Sequence, residues 1–105
     1  MNYTQNQKIS QVTEATLIVG VDIGSETIFA RAFNWRGQEL SKKVFHFRNS
    51  LEGFQSFLAY LNTYTTIASA RQVIVGCEPT GHYWFNLARY LEENNIKLAL
   101  VNPYH

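Results

Sequence analysis

Two carboxylates occupy matching places in this sequence. Asp22, the sole aspartate of the 105-residue chain, closes the apolar run Leu17, Ile18, Val19, Gly20, Val21. Glu78 closes a second apolar run, "QVIVGCE", over residues 72–78. If the two runs are neighbouring parallel strands, their acids share one rim of a sheet, on backbones roughly 4.8 Å apart. Bare carboxylates so placed repel, and one takes up a proton. A divalent cation removes the conflict. Mg²⁺ (or Mn²⁺) suits such hard oxygen ligands, and Mg²⁺ keeps several waters. Two such ions about 3.5–4 Å apart can activate a nucleophile and stabilise a leaving oxygen on phosphate. The blander alternative stands beside this one. An Asp in "DIG" after a strand is often a turn or cap residue, and a Glu before Pro79 is commonly a solvated loop residue.

Other side chains invite weaker readings. Lys42, Lys43 and Arg48 form a small basic cluster near the third expected strand. It serves either as a solvated edge that discourages strand-to-strand association or as a set of phosphate contacts. His82 stands at the start of the second expected helix, near Glu78 in sequence. It is either a surface or capping residue or a contact to phosphate or a metal-bound water, where helix N–H groups also favour an anion. Tyr83 and Trp84 can stack on bases or pack in a core or subunit contact. Cys77, His46 and His82 lack zinc-site spacing, and Cys77 reads as a buried, inert thiol.

The elements that must position the acids follow from the pattern. Residues 1–15 are polar and read as a flexible leader. Residues 17–22 form a buried strand, "IGSE" turns, and 27–34 alternate as a second strand. "WRGQ" is a tight turn around Gly37, and 39–47 reads as a third strand. Asn49 is the expected N-cap of a helix, with Glu52 completing a capping box and Leu51, Phe54, Leu58 and Leu61 forming its inward stripe. The Thr-rich "TYTTIAS" is expected to end it. After the strand over 72–78, Thr80 can cap a helix over roughly 81–94, with Tyr83, Leu87, Tyr90 and Leu91 inward and Asn94 and Asn95 at its end. A fifth strand over 96–103 stops at Pro103.

The order β-β-β-α-β-α-β joins a meander to two crossover strands parallel to the first. That is an α/β, ribonuclease-H-like mixed sheet, with expected strand order 3-2-1-4-5, truncated after strand 5. The chain is one domain or part of one. Its net charge of +1 gives no polyelectrolyte signal, although a local patch can still bind nucleic acid. A single cysteine excludes an internal disulfide and fits a reducing compartment. No apolar run approaches the roughly 20 residues of a membrane helix, and no signal-peptide centre is visible. A cytoplasmic setting is expected.

"VGVDIGSETI" together with "CEPTGHYWFNLARYLEENNIKLALVNPYH" resembles the N-terminal part of the insertion sequence 110 family of transposases. These are bacterial DEDD recombinases with a RuvC-like domain, and the pilin-gene invertases are their relatives. The resemblance spans roughly residues 17–105, and "EPTGHYW…L…L…VNP" is its specific part. It implies that Asp22 matches the family's first catalytic acid and Glu78 its second. The two further acids of the family lie in a later Asp-x-x-Asp motif, and no Asp follows position 22 here. Many relatives have Lys where Ser25 stands. The implied activity is metal-dependent cutting and rejoining of DNA. A separate domain carrying a serine, a structured noncoding guide RNA encoded by the element, and homo-oligomerisation complete the picture. Residues 16–105 are thus expected to be the first part of a longer catalytic domain, inactive alone. Two other readings remain open. One is a sugar or acetate kinase subdomain of the actin-like fold, binding ATP and Mg²⁺ through "GVDIGS". The other is a non-catalytic RNA-docking or oligomerisation module.

Overall fold

The computed structural model describes residues 13–79 and 81–101. Seven elements follow one another: β1 (Thr16–Ile23), β2 (Thr27–Phe33), β3 (Phe45–Arg48), α1 (Leu51–Ala68), β4 (Gln72–Cys77), α2 (Phe85–Glu93) and β5 (Lys97–Leu100). The sheet order is β3-β2-β1-β4-β5. β1 pairs antiparallel with β2, and β2 with β3. β4 and β5 extend the sheet in parallel on the other side of β1. This is the expected topology, with β1 in the middle.

Alternation along the strands sends one set of side chains to a single core. Leu17, Val19 and Val21 of β1, Ile28, Ala30 and Ala32 of β2, Phe47 of β3, and Val75 and Cys77 of β4 are all buried there. Phe54, Phe57 and Leu61 of α1 and Leu87 and Leu91 of α2 fill the same cluster, so both helices cover the same face. Aromatic stacking locks α1 onto β3: Phe47 and Phe57 have ring centroids 4.5 Å apart, and Phe45 and Tyr60 4.4 Å. Full burial of a phenylalanine ring, as at Phe57, contributes about 1.5–3 kcal/mol.

Several boundaries differ from the sequence pattern, each for a local reason. The third strand starts at Phe45, not at 39. Upstream of it, Glu39 makes an isolated bridge to Phe33. The Ser41 side chain accepts a hydrogen bond from the Ala32 N–H at 3.2 Å, replacing a ladder bond at that point. Ser50, not Asn49, caps α1, its hydroxyl accepting from the Gly53 N–H at 3.2 Å. The inward stripe of α1 is Phe54, Phe57 and Leu61, while Leu51 is exposed. Gly53 lets β3 run directly into the helix, because a Cβ there would collide with the Arg48 carbonyl oxygen. The Thr-rich segment stays helical: the hydroxyls of Thr63, Thr65 and Thr66 donate to the carbonyls four residues back. The helix ends instead at Ser69, in the left-handed conformation at φ 51°.

The second helix begins at Phe85 rather than at 81. Gly81, at φ 62°, is left-handed and cannot continue a helix, and Trp84 caps α2 without a side-chain bond. Thr80, the expected cap, lies outside the described residues. Tyr83 is exposed rather than inward. Asn94 and Asn95 do end α2, with Asn95 left-handed at φ 59°. β5 is confined to Lys97–Leu100; the expected stop at Pro103 and most of the polar leader, residues 1–12, lie outside the described residues.

Candidate active site

β1 and β4 run side by side in register as far as Val21 opposite Cys77. The next residues are Asp22, still within β1, and Glu78, which stands just past the end of β4 at Cys77 rather than closing it as the sequence pattern suggests. Both lie at the C-terminal rim and line one cavity. Registered residues on neighbouring strands share a face. For Asp22 that is the face opposite the helices, since Val21 points into the core, and Glu78, beyond the end of β4, lines the same open groove. Both acids are exposed, and both line a cavity of about 260 Å³ with Val21 and Ile23. Among the described residues the ion pair is Arg31–Glu39, and neither acid takes part in one.

A wider groove of about 530 Å³ opens from the same pair across the uncovered face. Its floor includes Gly20 and Gly76, which stand opposite one another in the register. A Cβ on Gly20 would meet nothing within 4 Å, so the glycine deepens the groove rather than relieving a clash. Phe29 faces Asp22 across β1 and β2, and His46 faces Phe29 across β2 and β3. The row is thus Glu78, Asp22, Phe29, His46. Phe29 is 44% exposed, and its ring lies 6.3 Å from that of His46. Phe29 carries no charge and His46 attracts attention only for its spacing to Cys77 and His82, so strand register alone reveals their place beside Asp22.

The basic residues are not gathered at one point. Arg48 is exposed and pairs with Thr27, at the end of the sheet where β1 finishes. Lys42 and Lys43 are exposed in the segment before β3, just after Ser41 binds the Ala32 carbonyl. They therefore sit towards the far end of β2. His82 is exposed in the loop that leaves Glu78, with its ring 4.8 Å from that of Tyr83. Trp84 packs against the core cluster and meets Phe85 edge-on at 4.6 Å. Cys77 is buried, and its thiol is pushed up to about 11 first by burial and then by the neighbouring Glu78 charge. Glu39, across the sheet, is held below the usual carboxylate range by hydrogen bonds from Arg31 and Ser41.

The loops behind the two acids are tied together. Gly24 closes the β1–β2 turn through its N–H to the Thr27 carbonyl at 3.0 Å, and a Cβ there would stand 2.8 Å from that oxygen. The Asn49 side-chain amide reaches both this turn and the β4–α2 loop, donating to the carbonyls of Gly24 and Tyr83 at 3.0 Å each.

A five-stranded sheet of order 3-2-1-4-5, an antiparallel meander extended by two parallel crossover strands with both helices on one face, is a ribonuclease-H-like fold. Solved structures agree on the fold. A foamy viral protease-reverse transcriptase in complex with double-stranded DNA superposes with a TM-score of 0.52 at 14% identity, over 85% of this chain and 20% of that one. A second structure of a foamy viral protease-reverse transcriptase with double-stranded DNA gives 0.51 at 14% identity, over 87% of this chain and 24% of that one. The chain therefore spans about a fifth to a quarter of the length of these structural relatives. No curated protein matches the sequence. The family model of the DEDD transposases of the insertion sequence 110 type matches residues 19–105, and the chain belongs to that transposase family.

Proposed function

We propose that residues 16–105 form the first part of a RuvC-like catalytic domain that cuts and rejoins DNA, with Asp22 and Glu78 holding a divalent cation. The observation that carries this is the shared cavity at the rim, lined by both acids and free of ion pairs. The donor set suits the ion. Among the described residues no group of three or more His, Cys, Asp or Glu lies close enough to hold a metal. Mg²⁺ commonly needs one or two carboxylates, with waters and phosphate oxygens completing its shell. A cation bound there would supply charge neutralisation at phosphate and a more acidic bound water. The protein's part is to present carboxylate oxygens at the ends of two adjacent strands and to leave the face beside them open to a nucleic-acid strand. In this reading Arg48, at the same end of the sheet, and His82, in the loop after Glu78, contact phosphate. Lys42 and Lys43 extend that contact farther along the sheet.

The resemblance to the family supplies the rest: DNA as substrate, a structured guide RNA and a second copy of the protein as partners, Mg²⁺ or Mn²⁺ in two-ion form, and a bacterial cytoplasmic setting. Asp22→Asn and Glu78→Gln, each made in the whole transposase, should reduce metal-dependent strand cleavage by about a thousandfold or more, the scale of several kcal/mol of lost charge stabilisation. Recombination that survives Asp22→Asn unchanged would instead support a docking module. The 105-residue chain alone is expected to bind the cation without cutting DNA and to show no ATP binding by calorimetry, which separates it from an actin-like kinase subdomain.

A further inference from the structure

Asn49 belongs to neither β1 nor β4, yet it contacts the segments that follow both. Its Nδ2 donates to the Gly24 carbonyl in the turn leaving β1 and to the Tyr83 carbonyl in the loop leaving β4, each at 3.0 Å. Its backbone N–H donates to the Glu26 carbonyl at 2.8 Å, a second hold on the same turn. A primary amide has two N–H hydrogens, and here each finds one carbonyl. That fixes the amide's orientation, since turning it over would set Oδ1 against two carbonyl oxygens.

The bonds are not needed to start the helix, because Ser50 supplies the cap. They also come at a cost: Oδ1 is buried with no hydrogen-bond partner among the described residues. An asparagine held this way joins two segments that are otherwise far apart in the chain. The joined segments are those that leave Asp22 and Glu78.

We infer that Asn49 is a positioning residue that clamps the turn after Asp22 to the loop after Glu78 and so sets how the two carboxylates face each other. The inference rests on the reading of that pair as a cation site. Groups behind a metal's own ligands typically change affinity by about tenfold to a hundredfold when removed. Asn49→Leu keeps the approximate shape and removes both donors; Asn49→Ser is the smaller alternative.

The test uses Mn²⁺ alone, with free ion read by its electron paramagnetic resonance signal, on the 105-residue chain. Far-UV circular dichroism and a thermal melt establish folding. The wild type should show a site that Asp22→Asn and Glu78→Gln each abolish, and Asn49→Leu should weaken it about tenfold or more while the fold persists. If Asn49→Leu does not fold, Asn49→Ser decides by the same titration. A folded Asn49 variant with wild-type Mn²⁺ affinity, even one that melts earlier, overturns the inference and leaves the cation site standing. A wild-type chain with no site sensitive to Asp22→Asn overturns both.

Discussion

Cys77, the last residue of β4, and Glu78, the first beyond it, are neighbours in the chain with opposite surroundings. The thiol points into the core while the carboxylate lies on the open rim, and both effects keep the thiol protonated. Its pKa is raised from 9.0 to about 11. The sign follows from linkage: the folded state favours the neutral thiol, so its stabilising share is intact below pH 9 and is lost as the pH climbs through about 11. The melting temperature of the wild type should therefore fall more steeply between those values than that of Cys77→Ala, whatever their difference at pH 7. Iodoacetamide should label the native thiol slowly at pH 8, because the thiolate is the reactive form. At this scale the sequence was partly legible. Asp22 and Glu78 stand out because each ends an apolar run, and strand alternation alone sends Cys77 inward. Asn49 does not stand out: its spacing suits a helix cap, and its real partners, Gly24 and Tyr83, are brought to it by tertiary structure.

Among the elements, α1 shows how a boundary depends on one hydroxyl. Ser50 accepts the Gly53 N–H while Asn49 is engaged elsewhere. Ser50→Ala should cost about 1 kcal/mol of stability, read as a lower urea midpoint at unchanged slope. Cation binding at the rim should be left unaltered. The order of elements and the strand directions could be read from periodicity and link lengths, because short links force the meander and helical crossovers force parallel strands; the spatial order 3-2-1-4-5 comes from likeness to the ribonuclease-H-like sheet. The misplaced edges have specific causes. Ser41 replaces a ladder bond before β3, the threonine hydroxyls of α1 bond back into their own helix, and Gly81 turns left-handed ahead of α2. Side-chain hydrogen bonds and a positive φ leave little trace in a hydrophobic pattern. The inward stripe of α1 is shifted for a related reason: Phe57 is buried because it stacks on Phe47, a contact set by where β3 ends.

For the whole molecule, a net charge of +1 means that any affinity for nucleic acid must come from local placement rather than bulk attraction. The structure separates the basic side chains, with Arg48 at the rim end and Lys42 and Lys43 towards the other. Replacing each in turn by Gln should lower the log–log salt slope of DNA binding by about 1 for every phosphate that is no longer neutralised. If the strand lies at the rim, Arg48→Gln should have the largest effect, and a slope that none of the three changes would remove them from the interface. Family membership and fold agree at this scale, with residues 19–105 matched as a transposase and the sheet superposing on far larger reverse-transcriptase chains.

The side-by-side placement of β1 and β4 has one more consequence. In an extended chain the two acids are separated by a hairpin, a third strand and a long helix, and no small ion can span them. A bridging ligand therefore recognises the assembled sheet and ignores the open coil. Its binding free energy adds to that of folding and grows with its concentration, so whatever occupies that rim also acts as a fastener across the crossover.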